Sequence, residues 1–414
     1  MKIWLFQTGE PLHSDKDKPR PMRAMNLANK LVESGHKVIL WSSSFHHQSK
    51  THRVRTYKKI KISEKLEIRL IPSSGYKVNI SIPRFYDHCV LAWNLHKQLK
   101  LEKQLPDAAF VGYPPIEAAY VMSRWLKMRD IPFLLDVKDQ WPNILVDIFP
   151  KPLKFFARCL LAPYYFLAKK SMRNASGIST HTSGFLEWAL KFSNKTRCEG
   201  DFIAPLTGPN DNIDSDELSG AVAWWLSQGI VQTSKLRVIF VGSFSRAFDF
   251  EAIFSVAQEL REQKTDCEFI LCGDGDRDDE LRLKSEEHNN VRIIGWIDRP
   301  KIKALSNMSD VSIAPYKSTE DFVISVPNKI IDSLMLGLPI LSPLEGEVSF
   351  LVNKYNVGYI YNKDLSLSEC IKRMISKPKL KKVLSDNARN LYKSKFEYNK
   401  VYNELVSHLQ KLRN

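Results

Sequence analysis

The feature that most constrains this chain is an alternation of short apolar runs with longer amphipathic segments, which occurs twice along its 414 residues. In the first half the apolar runs have strand length, and most of them are separated by segments of helix length. The predicted strands are 2–6, 37–41, 67–71, 108–112, 132–136 and 176–179, and the predicted helices are 22–34, 85–103, 115–128 and 151–173. This alternation predicts a parallel sheet covered by helices on both faces.

The second half repeats the pattern, with predicted strands at 236–241, 267–271, 291–294, 310–313, 339–342 and 357–360. Residues 205–220 are rich in turn-forming residues and are predicted to be a loop, and 378–413 is predicted to form two helices. We predict an N-terminal domain at 1–195, a C-terminal domain at 196–395, and a terminal helix at 396–414 that packs back on the N-terminal domain. Two doubly wound domains of this kind favour a ligand in the crevice between them, at the carboxyl ends of the strands.

The positive charge of the chain lies in its first half. Residues 1–200 contain 33 Lys and Arg against 16 Asp and Glu, whereas the remainder has 28 against 30, within a net charge of +15. The positive electrostatic potential of such a region attracts nucleic acid, anionic lipid headgroups or a phosphorylated substrate, although the charge could also serve solubility alone. No apolar run reaches the 18 residues of a membrane span, and the N-terminus has no signal-peptide core, so we expect a cytoplasmic protein.

Three stretches of the first half are candidate sites. Asp136 and Asp139 of "DVKDQWP" follow a buried strand and could orient a sugar hydroxyl or balance developing positive charge, or one Asp could simply cap the next segment. The basic loop with Arg20 and Arg23 suits an anionic ligand, unless it is only a surface loop. The segment 151–173 has six basic side chains, no acid and many aromatics, which is typical of a membrane interface, although its apolar face could be core. Its first basic residues are Lys151, Lys154 and Arg158.

The stretch "PNKIIDSLMLGLPIL", residues 327–341, predicts a helix that begins at Pro327. Its N-terminus suits a phosphate, and Lys329 adds a full positive charge there. Asp332 lies on the same helix face and could accept the two hydroxyls of a ribose. A weak ion pair between Lys329 and Asp332 is the alternative. No metal site is predicted, because the histidines 46, 47 and 52 lack partners at site spacing and "CGDGD" reads better as a turn.

The chain as a whole resembles the retaining nucleotide-sugar glycosyltransferases of the GT-B fold, the glycosyl transferases group 1 that includes many bacterial polysaccharide enzymes. The resemblance rests on "VGSFSRAFDFEAI", "LCGDGD", "IIGWI", "SDVSIAPY", "PNKIIDSLMLGLPIL" and "GEV" in that order, and on "DVKDQWP" in the first half. It implies an α/β protein of two doubly wound Rossmann-like domains with a cleft between them. Ile324 stands where the family commonly has a first glutamate, and Asp332 replaces the second.

The resemblance implies that the C-terminal domain binds a UDP-, GDP- or dTDP-sugar without a cofactor or metal, and that the N-terminal domain binds the acceptor. The implied donor-site residues are Asp332, Lys329, Asn328, Gly242, Ser243, Arg246, Gly295, Trp296 and Ile297. The predicted catalytic residues are Asp139, Asp136 and Lys329. The charge pattern of the first half, rather than the resemblance, predicts the acceptor or membrane residues Arg20, Arg23, Lys151, Lys154 and Arg158.

We therefore predict transfer of a hexose to a lipid-linked glycan in bacterial surface polysaccharide biosynthesis, such as lipopolysaccharide or capsule, at the inner membrane face. A nucleotide-sugar 2-epimerase of the same fold, a basic nucleic-acid-binding protein and an inactive partner subunit remain alternatives.

Overall fold

The computed structural model describes residues 1–16, 20–147, 149–210 and 213–413. They divide into two compact units, Met1–Pro205 with Asn399–Asn414, and Leu206–Tyr398. The division after Pro205 lies later than the predicted domain boundary after residue 195. The terminal segment belongs to the first unit, where Nε2 of His408 donates a hydrogen bond to the carbonyl of Gly200 at 2.9 Å.

The first unit is built on an eight-stranded sheet in its described part. The strands of this unit are β1 (Lys2–Phe6), β2 (Lys37–Ser43), β3 (Phe45–His46), β4 (Thr51–His52), β5 (Lys58–Lys61), β6 (Leu66–Ile71), β7 (Ala108–Tyr113), β8 (Phe133–Val137), β9 (Gly177–Thr180) and β10 (Phe202–Ile203). The sheet order is β10-β9-β8-β7-β1-β2-β6-β5, and β3 with β4 forms a separate ribbon. Neighbouring strands run parallel, as predicted, except that the edge strand β5 pairs antiparallel with β6.

The helices of the first unit flank this sheet. They are α1 (Arg23–Glu33), α2 (Ile82–Leu101), α3 (Ile116–Lys127), α4 (Asn143–Asp147), α5 (Lys154–Leu160), α6 (Ala162–Asn174) and α7 (Ser183–Ser193). The predicted helix 151–173 is thus two helices that break at Leu161. Pro163 is the second residue of α6, and a proline cannot donate the backbone hydrogen bond that would continue α5.

The second unit has a six-stranded parallel sheet in its described part. Its strands are β11 (Leu236–Val241), β12 (Cys267–Cys272), β13 (Val291–Ile294), β14 (Val311–Ile313), β15 (Ile340–Ser342) and β16 (Gly358–Ile360), in the order β13-β12-β11-β14-β15-β16. Counted within the unit this is 3-2-1-4-5-6, the strand order of the doubly wound Rossmann sheet. The topological switch point therefore lies between β11 and β14.

The helices of the second unit are α8 (Ser215–Ser227), α9 (Phe250–Glu262), α10 (Asp278–Ser285), α11 (Arg299–Asn307), α12 (Glu320–Val323), α13 (Asn328–Leu336), α14 (Glu347–Tyr355), α15 (Leu367–Ser376) and α16 (Pro378–Leu391). The last helix, α17 (Tyr398–Lys411), leads back to the first unit. The prediction of a loop through residue 220 was wrong. Asp214 caps α8 and forms a reciprocal capping box with Glu217, which starts the helix inside that stretch.

The same strand order occurs in the first unit. There β6-β2-β1-β7-β8-β9 again reads 3-2-1-4-5-6, with β10 and β5 added at the two edges. Its switch point lies between β1 and β7. In each unit a ligand site is expected at the carboxyl end of these central strands.

Candidate functional site

The switch point of the second unit holds a lysine against a glycine. β11 ends at Val241, and Gly242 follows with φ +149°, where a Cβ atom would lie 1.5 Å from Nζ of Lys329. The ammonium of Lys329, in the first turn of α13, donates a hydrogen bond to the carbonyl oxygen of Val241. It also lies over the ring of Phe240, 4.3 Å from the centroid. A glycine at 242 is therefore required for the lysine to reach the strand end.

The Lys329 ammonium is poorly hydrated. Burial lowers its pKa to about 8, and the negative charge of Asp332 opposes this shift in part. A cation that has lost much of its water interacts more strongly with an added anion than an exposed lysine does. Since Lys329 stands at the N-terminal end of a helix, its charge and the free backbone N–H groups favour the same kind of ligand.

The two loops after β11 and β12 interlock beside this lysine. A Cβ at Gly273 would lie 1.8 Å from the carbonyl oxygen of Gly242, and one at Gly275 would lie 2.7 Å from that of Phe244. The amide of Phe244 donates to the carbonyl of Asp274 at 2.6 Å. The "CGDGD" stretch is thus a turn packed on the β11 loop, which is the structural role that the sequence favoured.

Other residues predicted to bind the nucleotide sugar follow β11 or lie in α13. Asp332 is half-buried one turn after Lys329, and Asn328 and Ser243 are exposed. The guanidinium of Arg246 is largely in solvent and lies 3.9 Å from the carboxylate of Asp276. Their roles in binding stay predictions.

The predicted base pocket is only partly consistent with the structure. Gly295 and Trp296 directly follow β13, and Trp296 is 72% exposed, so its ring is available to a ligand. The side chain of Ile297 is instead buried in an apolar cluster that includes Trp225 and Ile270. The side chain of Ile297 is covered by core, so the backbone is the part of this residue that remains available to a ligand, and its role in the base pocket stays a prediction.

In the first unit, Asp136 and Arg23 form a buried ion pair. The guanidinium of Arg23 donates through Nε and Nη2 to both carboxylate oxygens of Asp136, each at 2.8 Å. Its Nη1 also donates to the carbonyl of Ala204 at 2.9 Å. The Asp136 side chain is fully buried and that of Arg23 is 5% exposed.

This geometry corrects two predictions. Arg23 is not on the surface, so it cannot contact a membrane, and Asp136 has both oxygens held by one guanidinium within the core. Such a bidentate pair fixes the start of α1 against the end of β8. A structural role replaces the predicted acceptor or membrane role of Arg23 and the predicted catalytic role of Asp136.

A cavity of about 220 Å³ opens at the carboxyl ends of β1, β2, β7 and β8. Asp139 and Lys138 of "DVKDQWP" line it, so this stretch directs one carboxylate into the core and the other into a cavity. Lys138 donates to Oε1 of Glu10 at 2.6 Å, and Oε2 of Glu10 accepts the amide of Ala24 at 2.9 Å. The remaining lining residues are Gln7, Thr8, Gly9, Met22, Ser43, Phe45, His47, Tyr76, Arg84, Asp87, His88, Leu91, Pro114 and Pro115.

Helix α2 supplies one wall of this cavity, which the sequence reasoning missed. Arg84, Asp87, His88 and Leu91 line it, and their spacing of three and four residues places them on one helix face. The guanidinium of Arg84 lies 5.0 Å from the ring centroid of Trp141. The signal that could have found this wall is the polar cluster 84, 87 and 88 inside the otherwise apolar first part of the helix, residues 82–93.

The buried carboxylate of Glu117 lies next to His88. Nδ1 of His88 lies 3.6 Å from Oε2 of Glu117, and Oε1 of Glu117 accepts the hydroxyl of Tyr164 at 2.7 Å. Across the cavity, burial and the positive charges of Lys50 and Arg84 lower the pKa of His47 to about 4, so its imidazole is neutral at pH 7. The cavity therefore offers several polar groups and two aromatic rings, a combination suited to a hydroxylated ligand.

The basic aromatic segment lies on the surface. Phe155, Phe156 and Leu160 of α5 are 70%, 68% and 76% exposed. Lys151, Lys154 and Arg158 are interleaved with them, while Arg20 is exposed elsewhere on the unit. The helices that the structure describes include none that is long and apolar enough to cross a membrane. Within the same residues, no three His, Cys, Asp or Glu side chains converge as ligands for a metal ion.

Comparison with known proteins gives matches to one family. Residues 225–391, within the second unit, match the model of the family described as glycosyl transferases group 1. The 2-deoxystreptamine N-acetyl-D-glucosaminyltransferase of Niallia circulans is 26% identical over 146 residues, 34% of this chain and 36% of that protein. The alpha-D-kanosaminyltransferase of Streptomyces kanamyceticus is 20% identical over 174 residues, 41% of this chain and 44% of that protein. The chain thus spans less than half the length of the curated relatives it matches.

Solved structures match over nearly the whole chain. Sucrose-phosphate synthase from Thermosynechococcus elongatus has a TM-score of 0.67 at 14% identity and covers 99% of this chain and 98% of its own. Anabaena HepE in complex with UDP and glucose has a TM-score of 0.61 at 15% identity, with 99% and 100% covered. These likenesses show the fold. The chain has the GT-B fold of two Rossmann-like domains, and its residues 225–391 are similar to the glycosyl transferases group 1.

Proposed function

We propose that this protein is a glycosyltransferase that moves a sugar from a nucleoside diphosphate sugar to a hydroxyl group of an acceptor. The observation that supports this most directly is the half-buried Lys329 ammonium beside Gly242 at the switch point of the second unit. It stands inside the region that matches the glycosyl transferases group 1.

The second unit would hold the donor. The diphosphate would contact Lys329, the amides at the start of α13 and the Gly242–Ser243 loop, with Arg246 nearby. Asp332 would accept the ribose hydroxyls, and Trp296 with Gly295 would contact the base. As the sugar leaves, negative charge grows on the diphosphate, and a poorly hydrated cation stabilises that charge more than water would.

The first unit would hold the acceptor in its cavity. Asp139 and His88 are the polar groups best placed to contact an acceptor hydroxyl, since both line the cavity. We infer that the transferred sugar is a hexose, that its configuration is retained and that no metal or other cofactor takes part. UDP is the first nucleotide to try, because HepE of the same fold binds UDP and glucose.

A thermal-shift screen of UDP, GDP and dTDP and their sugars tests the donor assignment. We expect one nucleotide to raise the melting temperature, since a ligand at 100 times its Kd adds about 2.7 kcal/mol to the free energy of unfolding. Asp332→Ala should lose the shift, whereas Asp364→Ala in an exposed turn should keep it. If no nucleotide raises the melting temperature and no sugar nucleotide is turned over, the proposed function is wrong. Turnover of the donor to a 2-epimer without an acceptor would identify an epimerase instead.

We also infer that the protein binds the inner face of the plasma membrane through the exposed face of α5 and that it acts on a lipid-linked glycan in surface polysaccharide biosynthesis. Residues 149–173 contain Lys and Arg but no Asp or Glu. Each such cation near an anionic bilayer contributes about 1 kcal/mol of attraction. The exposed rings of Phe155 and Phe156 would enter the interface.

Liposome sedimentation measures this attachment. We expect binding to vesicles that contain phosphatidylglycerol, weaker binding at high salt, and a loss of at least about ten-fold in affinity for Phe155→Asp with Phe156→Asp. Phe350→Asp, at an exposed phenylalanine of the second unit, is the control and should bind normally. Equal binding to neutral and anionic vesicles without a salt effect would contradict the proposal.

A further inference from the structure

Helix α2 has two faces with opposite properties. One face, with Arg84, Asp87 and His88, lines the cavity of the first unit. The other face has Ile82, Tyr86 and Trp93, which recur at helical spacing and are 84%, 64% and 62% exposed. Such a row of large apolar side chains on a surface helix indicates an interaction site.

The segment that enters α2 extends this apolar face. Val78 and Ile80 are 62% and 59% exposed, so five large apolar side chains within sixteen consecutive residues, 78–93, face solvent. The thiol of Cys89, on the same helix face as Ile82 and Tyr86, is exposed as well. The ammonium of Lys97 lies over the ring of Trp93, 5.4 Å from its centroid.

The charges around this face have one sign. Residues 76–101, all of which the structure describes, contain Lys77, Lys97 and Lys100 as exposed charged residues. Their one acidic residue, Asp87, is buried and accepts the amide of Gly75. An apolar face whose own segment has only cations as exposed charges complements an anionic lipid surface.

Helix α2 contacts α6, the helix that follows the exposed aromatic residues of α5 in the chain. Tyr164 of α6 packs edge-on against Phe85 of α2, with ring centroids 5.5 Å apart. Its side chain is also hydrogen-bonded to Cys89. A half-buried aromatic pair therefore joins α2 to α6 within the first unit.

We propose that the outer face of α2 is a second membrane contact, so that this helix separates an anionic lipid surface from the cavity on its inner face. The cavity would then receive the polar head of a lipid-anchored molecule directly from the bilayer. Identifying that head as the sugar acceptor rests on the proposed function, but the membrane contact does not. Isoleucine, tyrosine and tryptophan flanked by lysine suit the interfacial layer, where aromatic rings are enriched.

A second copy of the chain is the competing occupant, and the charges disfavour it. In a symmetric dimer the same patch meets itself, so Lys77, Lys97 and Lys100 would approach the equivalent lysines of the other copy. Like charges brought together in this way weaken association, whereas anionic headgroups are attracted.

Quenching by lipids tests the proposal on the whole protein. With vesicles of phosphatidylcholine and phosphatidylglycerol whose acyl chains are brominated, tryptophan fluorescence should be quenched, and Trp93→Phe should lose most of that quenching. Quenching that is unchanged in Trp93→Phe would overturn the proposal, because Trp93 would then lie outside the bilayer.

A second variant measures the energy of the contact. Ile82→Ser with Trp93→Ser should reduce partitioning into these vesicles at least about ten-fold, because two apolar side chains no longer leave water. Its melting temperature should stay near that of the wild type, since both side chains are exposed. Unchanged partitioning would overturn the proposal, and so would a concentration-dependent dimer that this variant abolishes.

Nucleotide binding and vesicle binding, measured on the wild type and on the Ile82 and Trp93 variants, distinguish a failure of this proposal from a failure of the proposed function. If a nucleotide raises the melting temperature while vesicle binding does not depend on Ile82 and Trp93, only the α2 contact is wrong. If vesicle binding depends on them while no nucleotide binds, the glycosyltransferase proposal fails and the membrane contact stands.

Discussion

Binding of the nucleoside diphosphate is expected to weaken about ten-fold for each pH unit above the Lys329 pKa of about 8. Burial lowers this pKa, so the ammonium that would contact the diphosphate loses its proton in a range where an exposed lysine would keep it. Isothermal titration of UDP, or of whichever nucleotide binds, between neutral and alkaline pH gives the profile. If affinity stays constant across that range, Lys329 does not contact the diphosphate.

Lys329→Met is the matched variant, because methionine is similar in length and cannot titrate. Its nucleotide affinity should be low at every pH, and its turnover should fall by about 10²- to 10³-fold, as when one stabilising donor is removed from a transition state.

Lys329 also affects the stability of the fold. Raising the pH should increase this stability, whereas it should weaken nucleotide binding. The unfolded chain holds the Lys329 proton up to its ordinary pKa of 10.5, while the folded chain releases it from about 8. Between these values the unfolded state binds more protons, so this residue makes stability rise with pH. Lys329→Met should therefore raise the free energy of unfolding at neutral pH while it removes binding, which urea denaturation would show.

Asp136→Ala is expected to lower the free energy of unfolding by about 3–5 kcal/mol, because it leaves the buried guanidinium of Arg23 without its carboxylate. Asp136→Asn, which keeps one acceptor oxygen but no charge, should lie between this variant and the wild type. Urea denaturation of each protein provides the measurement.

The control for this prediction is Asp147→Ala, which breaks the ion pair with Lys154. Both side chains of that pair are substantially exposed, so the loss should be below about 1 kcal/mol. If Asp136→Ala proves as stable as the wild type but inactive, the catalytic role that the sequence predicted for Asp136 would replace the structural one.

Much of the fold could be predicted because strands and helices have different apolar periods. The central strands of both sheets lie within a residue or two of their predicted bounds, and each is a run of residues buried on both faces. Pro163 divides the helix 151–173, as a proline inside a helical segment is expected to do. The prediction of a loop through residue 220 failed because one capping box, that of Asp214 and Glu217, begins α8 inside it.

The candidate site was less predictable than the fold. "DVKDQWP" indicated that polar groups follow β8, but not which of its two aspartates faces the core. Asp136 pairs with Arg23, 113 residues earlier in the chain, and no local pattern encodes that contact. The wall formed by α2 was missed because the sequence of a helix with both apolar and polar residues does not show which of its faces packs on the sheet, which lines a cavity and which faces solvent.

The sequence by itself determined two doubly wound α/β units, because the spacing of apolar residues sets the type and the order of the elements. It also placed Lys329 and Asp332 on one face at the start of a helix, because helical spacing is local. Only the tertiary structure decided what that lysine meets. The Val241 carbonyl, the Phe240 ring and the space left by Gly242 come from a strand end 88 residues away, and burial there shifts the pKa.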